Sequence, residues 1–145
     1  MITSVLGFDF GTQKIGVAIG QTITKTASAL PELNAKEGQP NWDTITALIA
    51  EWQPDAFIVG IPLNEDGSDN PLSKRARKFA NRLHGRFGLP FYTVNEHLSS
   101  YDARDQILQY SGRAAKSGRN IDSIAATLII ETWFSEPESL SGHHL

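Results

Sequence analysis

The chain has 145 residues, 40% of them hydrophobic and 20% charged, with a formal net charge of −3 and no cysteine. That length suits one domain with a substantial core, and the missing cysteines exclude disulfides, thiol catalysis and a thiolate zinc site. No apolar run approaches the ~20 residues of a membrane span and no signal-peptide pattern opens the chain, so a cytoplasmic protein without membrane attachment is expected.

Strand-like runs cover about 4–10, 15–20 and 25–30, close enough together for an antiparallel meander. The first, Val5-Leu6-Gly7-Phe8-Asp9-Phe10-Gly11, carries a carboxylate in its most apolar stretch. An ionised group there needs partners, a metal or a raised pKa. Gly11-Thr12-Gln13-Lys14 reads as the turn of the first hairpin. From Asn41 to Gln53, Ile45, Leu48, Ile49 and Trp52 take the i, i+3, i+4, i+7 spacing of an amphipathic helix, with Asn41 as N-cap and Pro54 as its stop. A buried strand follows at 55–61, then a turn-rich loop at 64–68 and a helix from Pro71 to Phe87, ended by Gly88 and Pro90.

Phe91–Asn95 gives the last strand, and Tyr101–Tyr110 and Ile121–Phe134 give two more helices. The linker between them, 111–119, holds three cations and two glycines without an acid, and is expected to be mobile without a ligand. A domain over 1–136 with a disordered tail over 137–145 completes the expected organisation. Three early strands followed by alternating helices and strands make an α/β protein, a mixed sheet with helices on its faces.

If the later strands run parallel to the first, Asp9 and Glu96 emerge at the same carboxyl-end edge, where open α/β sheets place their ligands. Asp122 opens the nearly all-apolar helix Ile121–Ile130, which must pack flat on the sheet and can carry Asp122 to that edge. Singly, each acid has a plainer reading: Asp9 satisfies a turn, Glu96 is a solvated loop residue, Asp122 complements a helix dipole. Together, three hard oxygen ligands without histidine or cysteine suit Mg2+ or Mn2+ and phosphodiester hydrolysis. None of the four histidines is assigned a metal.

Between Leu72 and Asn95 there is no acid, although the net charge is negative. Lys74, Arg75, Lys78, Arg82 and Arg86 fall on one arc of the helix, and Leu72, Ala76, Phe79, Leu83 and Phe87 on another. That alignment points to phosphate-backbone contact, with Arg113, Lys116 and Arg119 as further contacts.

Asp9-Phe10-Gly11-Thr12-Gln13-Lys14-Ile15-Gly16-Val17-Ala18 and Val59-Gly60-Ile61-Pro62-Leu63 with Asp66-Gly67 resemble the YqgF family, also called RuvX. So do Arg75-Ala76-Arg77-Lys78-Phe79-Ala80, Glu96-His97-Leu98-Ser99-Ser100 and Asp122-Ser123-Ile124-Ala125-Ala126, in family order. The resemblance implies an RNase H-like fold with a five-stranded mixed sheet, helices on both faces, and kinship with Holliday-junction resolvases. It also implies a nuclease that matures the 5′ end of pre-16S rRNA, on the ribosome or on free precursor, with Asp9, Glu96 and Asp122 as its acidic site.

Two places depart from the family pattern. Asn95-Glu96-His97 stands where Asp-Glu-Arg is common, so Asn95 brings a neutral carbonyl and His97 lacks arginine's permanent charge. Ala125 and Ala126 stand where resolvases often carry a second helix acid, which favours RNA over DNA junctions as substrate. The competing readings are a junction-cleaving DNA resolvase, a non-catalytic nucleic-acid module, and a fragment of the actin and sugar-kinase superfamily. The last shares the Asp-x-Gly-Thr hairpin but expects a longer chain and a second glycine-rich phosphate loop.

Overall fold

The computed structural model describes residues 2–95 and 121–135, with residues 121 and 122 described by backbone alone. Among the described residues six strands form the sheet: β1 (Ser4–Asp9), β2 (Lys14–Gln21), β3 (Thr26–Lys36), β4 (Gln39–Pro40), β5 (Ala56–Ile61) and β6 (Phe91–Asn95). Their spatial order is β4-β3-β2-β1-β5-β6. β1 pairs antiparallel with β2 and parallel with β5, and β5 pairs parallel with β6, so the expected mixed sheet is present.

Five strands were expected and six are observed. The third runs past residue 30 to Lys36, through a register shift that sets Pro31 and Glu32 against Gly16 alone. A proline without an N–H and a run of mixed polarity hide such a strand from pattern reading, yet both are tolerated at a bulge. The two-residue β4 is too short for any periodicity and forms by folding back on Ala35 and Lys36.

Helix α1 (Trp42–Trp52) starts where Asn41 accepts a hydrogen bond from the Asp43 N–H and ends at Gln53 in the left-handed region, ahead of Pro54. Helix α2 (Pro71–Phe87) begins with Asn70 and Ser73 in a reciprocal capping box and ends at Gly88. Both pack on one face of the sheet, where Phe79 of α2 meets Phe8, Phe10 and Trp42 at centroid distances of 5.4, 5.4 and 5.9 Å. One expectation fails on α2: Leu72 is 39% exposed, and the buried first-turn side chain is Ser73, drawn inward by its bonds to Asn70 and Asp69.

Among the described residues, helix α3 (Ile121–Ser135) covers the opposite face, with Ala126, Ile129, Ile130, Trp133 and Phe134 buried against Val5, Ala18, Ala56, Ile58, Tyr92 and Val94. It lies close because Gly7 and Gly20 leave a notch beneath Ile130: a Cβ on either would stand 2.5 or 2.7 Å from that side chain. No described helix is long and apolar enough to cross a membrane. The helix expected at 101–110, the 111–119 linker and the 137–145 tail lie outside the described residues.

The amino-terminal end of the sheet is clamped by Asp55, whose Oδ2 accepts from the Thr3 N–H and hydroxyl, each at 2.8 Å, and from the Ser4 N–H at 3.1 Å. The Thr3 N–H foremost, then the Thr3 hydroxyl and Ser4 N–H, hold the carboxyl below its usual range despite partial desolvation. A depressed folded pKa means stability that is full above the unfolded value of about 3.9 and lost as pH falls through the folded one. Asp55→Asn is therefore expected to remove about 1.5 kcal/mol at pH 7. Melting curves at pH 7 and pH 3 check this; a gap from wild type that stays constant between them contradicts the charge-assisted clamp.

Candidate active site

Asp9 is the last residue of β1, at the carboxyl end of the three parallel strands β1, β5 and β6. Successive strand side chains alternate in face. Leu6 and Phe8 point into the α1–α2 core, while Val5 packs with α3 and Gly7 faces Ile130. Asp9 continues the second row, so its carboxylate belongs to the α3 face. It is half-buried, which leaves an ionised group in reach of solvent at the strand end.

The register places Gly16 on one side of Asp9 and Gly60 on the other. The direct cross-strand neighbours of Asp9 are therefore both glycines, each buried in the sheet. Sequence reading singled out Asp9 and placed Gly60 at the end of a strand on the same edge, but the pairing of Asp9 with these glycines exists only once the strands are registered.

Asp122 lies in the first turn of α3. The next residue, Ser123, is fully buried, and its Oγ accepts from the Val17 N–H at 3.2 Å, at the shift in β2–β3 register. Val17 follows Gly16, so that bond fixes the start of α3 at the Asp9 end of the sheet, and the helix then runs over Gly7 towards Gly20. Ser123 carried no signal in the sequence, since its partner is a main-chain group more than 100 residues away.

Glu96 lies outside the described residues. Asn95, the residue before it, ends β6 opposite Ile61, at the same carboxyl edge as Asp9 and two strands across. No three acidic or imidazole side chains gather into a metal-binding group among the described residues. The donors proposed for such a group fit Mg2+ or Mn2+ in kind, being carboxylate oxygens only. Asp9 meets that demand with a half-buried oxygen donor between two bare glycine positions.

The basic helix, α2, lies on the other face of the sheet from Asp9. It starts near the carboxyl edge after β5 and ends before β6 at the other edge. Lys74, Arg75 and Lys78 are exposed, and Arg82 is half-buried. Arg86 stacks its guanidinium over the Trp42 ring at 4.3 Å, a cation–π contact that engages one of the five. Arg77 pairs with Asp69 at 3.1 Å, and that bond, with the Ser73 hydroxyl, holds the Asp69 carboxyl below its usual range. Arg113, Lys116 and Arg119 lie outside the described residues.

Solved structures share this architecture. Thermus thermophilus RuvC in complex with a Holliday junction matches with a TM-score of 0.58 at 16% identity, over 90% of this chain and 92% of that one. The fowlpox virus Holliday junction resolvase matches with a TM-score of 0.53 at 17% identity, over 95% and 99%. The fold is thus the RNase H-like fold of the RuvC-type nucleases. Among curated proteins, relatives from Haemophilus ducreyi (52% identical over 134 residues, 92% of this chain and 97% of that protein) and Pasteurella multocida (50% over 135 residues, 93% and 96%) are both named "Putative pre-16S rRNA nuclease". The RuvX family profile, described as Holliday junction resolvase, matches residues 3–136, and the chain belongs to this family of nucleases.

Proposed function

We propose that this protein is a metal-dependent nuclease that hydrolyses phosphodiester bonds in the precursor of 16S rRNA, maturing its 5′ end in the cytoplasm. The observation that carries the reading is Asp9 at the carboxyl end of β1, flanked in register by Gly16 and Gly60. Relatives about half identical over nearly the whole chain, and named for that precursor, support RNA as the substrate. The junction resolvases are alike only in fold, at 16–17% identity, so DNA junctions stand second.

In this reading Asp9, Glu96 and Asp122 would hold the Mg2+ or Mn2+. A cation held there would serve to activate water and to offset charge on the phosphate. Exposed cations on α2 bind backbone phosphates away from the cleaved bond, on the other face of the sheet.

Incubation of a 5′-extended 16S precursor fragment with Mg2+ or Mn2+ is expected to give the mature 5′ end, and EDTA to stop it. A four-way DNA junction cleaved in preference to that fragment overturns the substrate assignment. For the basic helix, Lys74→Ala with Lys78→Ala is expected to weaken RNA binding and to flatten its log–log salt dependence by about 1.4, at about 0.7 per phosphate of single-stranded RNA. An unchanged slope removes α2 from the interface.

A further inference from the structure

We infer that Lys14 is a substrate-binding residue that holds a phosphate of the nucleic acid beside Asp9, on the α3 face of the sheet. The inference rests on the reading of Asp9 as the reactive carboxylate and adds the cation that works with it.

Lys14 opens β2, two residues before Gly16, which is Asp9's partner in the register. Residues two apart on a strand share a face, and Ala18 of the same row lies in the α3-side core. Lys14 and Asp9 therefore share a face. A pair spacing of about 5 Å and a two-residue rise of about 7 Å set their Cα atoms about 8 Å apart. Gly16 between them is buried, so a phosphate between the two side chains lies at the solvent edge of this face, within reach of the exposed lysine side chain. The cations of α2 belong to the other face, so they serve affinity along the chain while Lys14 stands at the reacting end.

The platform that carries Lys14 is held firmly. Gly11 turns the hairpin so tightly that a Cβ there would lie 2.4 Å from the Lys14 carbonyl oxygen. The carbonyls of Gln13 and Thr12 accept from the N–H groups of Ala35 and Gly38 at 2.7 and 2.9 Å, tying the turn to the β3–β4 hairpin. The ammonium lies 3.1 Å from Glu32 Oε1, with 56% of the lysine side chain exposed against 19% of the glutamate's. Glu32 occupies one of three ammonium donors. The lysine end of the pair is exposed and two donors remain, so a phosphate can share the ammonium. A point charge with rotatable donors suits an anion that changes shape during reaction, where a fixed guanidinium fork is not required.

The test compares wild type with Lys14→Gln, Lys14→Arg and Glu32→Gln, following melting, binding of the 5′-extended 16S precursor fragment across salt concentrations in EDTA, and cleavage in Mn2+. Lys14→Gln is expected to lower the salt slope by about 0.7, one phosphate, and the cleavage rate by 10-fold or more, with Lys14→Arg retaining the slope. Glu32→Gln breaks the same ion pair but frees the cation, and is expected to bind the fragment at least as tightly as wild type. A wild-type slope and rate in Lys14→Gln overturn the inference while the nuclease reading stands. Equal losses in Lys14→Gln and Glu32→Gln also overturn it, leaving a cross-strand prop. Should wild type bind but not cleave, the nuclease reading fails and the slope alone decides Lys14.

Discussion

Asp9→Asn is expected to lower the rate of precursor cleavage in Mg2+ or Mn2+ by about 10³-fold, the effect of removing about 4 kcal/mol of transition-state stabilisation from a metal-centred site. Asparagine keeps the size and one oxygen of the side chain, loses the charge and exchanges the second acceptor oxygen for an amide donor. Asp9 is half-buried at a strand end and is not part of the packed core, so melting is expected to stay close to wild type. RNA binding in EDTA is expected to persist or strengthen, because a negative group beside the phosphate site has gone. Single-turnover cleavage and binding on the same preparations separate these effects. A variant that cleaves at the wild-type rate sinks the carboxylate mechanism, and one that melts early returns Asp9 to a structural role.

The second large effect is expected from packing. Gly7→Val puts atoms where Ile130 already sits, since even a Cβ at Gly7 would stand 2.5 Å from Ile130 Cγ1 and 3.3 Å from the Ala126 carbonyl oxygen. Main chain on one side and a fully buried isoleucine on the other leave the helix to move. A loss of about 3 kcal/mol, or about 9 °C in melting temperature for a domain of this size, is the expected result. Cleavage should fall more steeply than stability, because the same displacement lifts Ser123 from Val17 and shifts the helix start that carries Asp122. Ile130→Ala empties the notch, at about 2–5 kcal/mol by itself. The double variant is expected to be more stable than the sum of the two losses by more than 1 kcal/mol. Simple additivity would falsify the shared notch.

Local pattern made much of this molecule legible before any contact was known. The run around Phe8, the Asn41-to-Pro54 helix with its spacing and cap, and the fully apolar strand after Pro54 all appear within a residue or two of their expected bounds. Elements whose evidence is not local were missed or misread. The second half of β3 depends on a bulge opposite Gly16, and β4 exists only as the return of a hairpin. The helical wheel set Leu72 on the apolar arc with Ala76, Phe79 and Leu83, but the capping box buries Ser73 and leaves Leu72 exposed.

The same division runs through the site. By itself the sequence determined that Asp9 was a carboxylate in an apolar strand and that the cations of α2 lay on one arc without acids, because charge, polarity and helical period are properties of short stretches. Only the tertiary structure decided that Asp9 faces α3 while those cations lie behind the opposite face, since which side a helix packs on depends on the whole sheet's order. Strand register likewise set Gly16 and Gly60 beside Asp9 and brought Lys14 onto its face. Register is a relation between segments, fixed by hydrogen bonds across the sheet, and no single segment contains it.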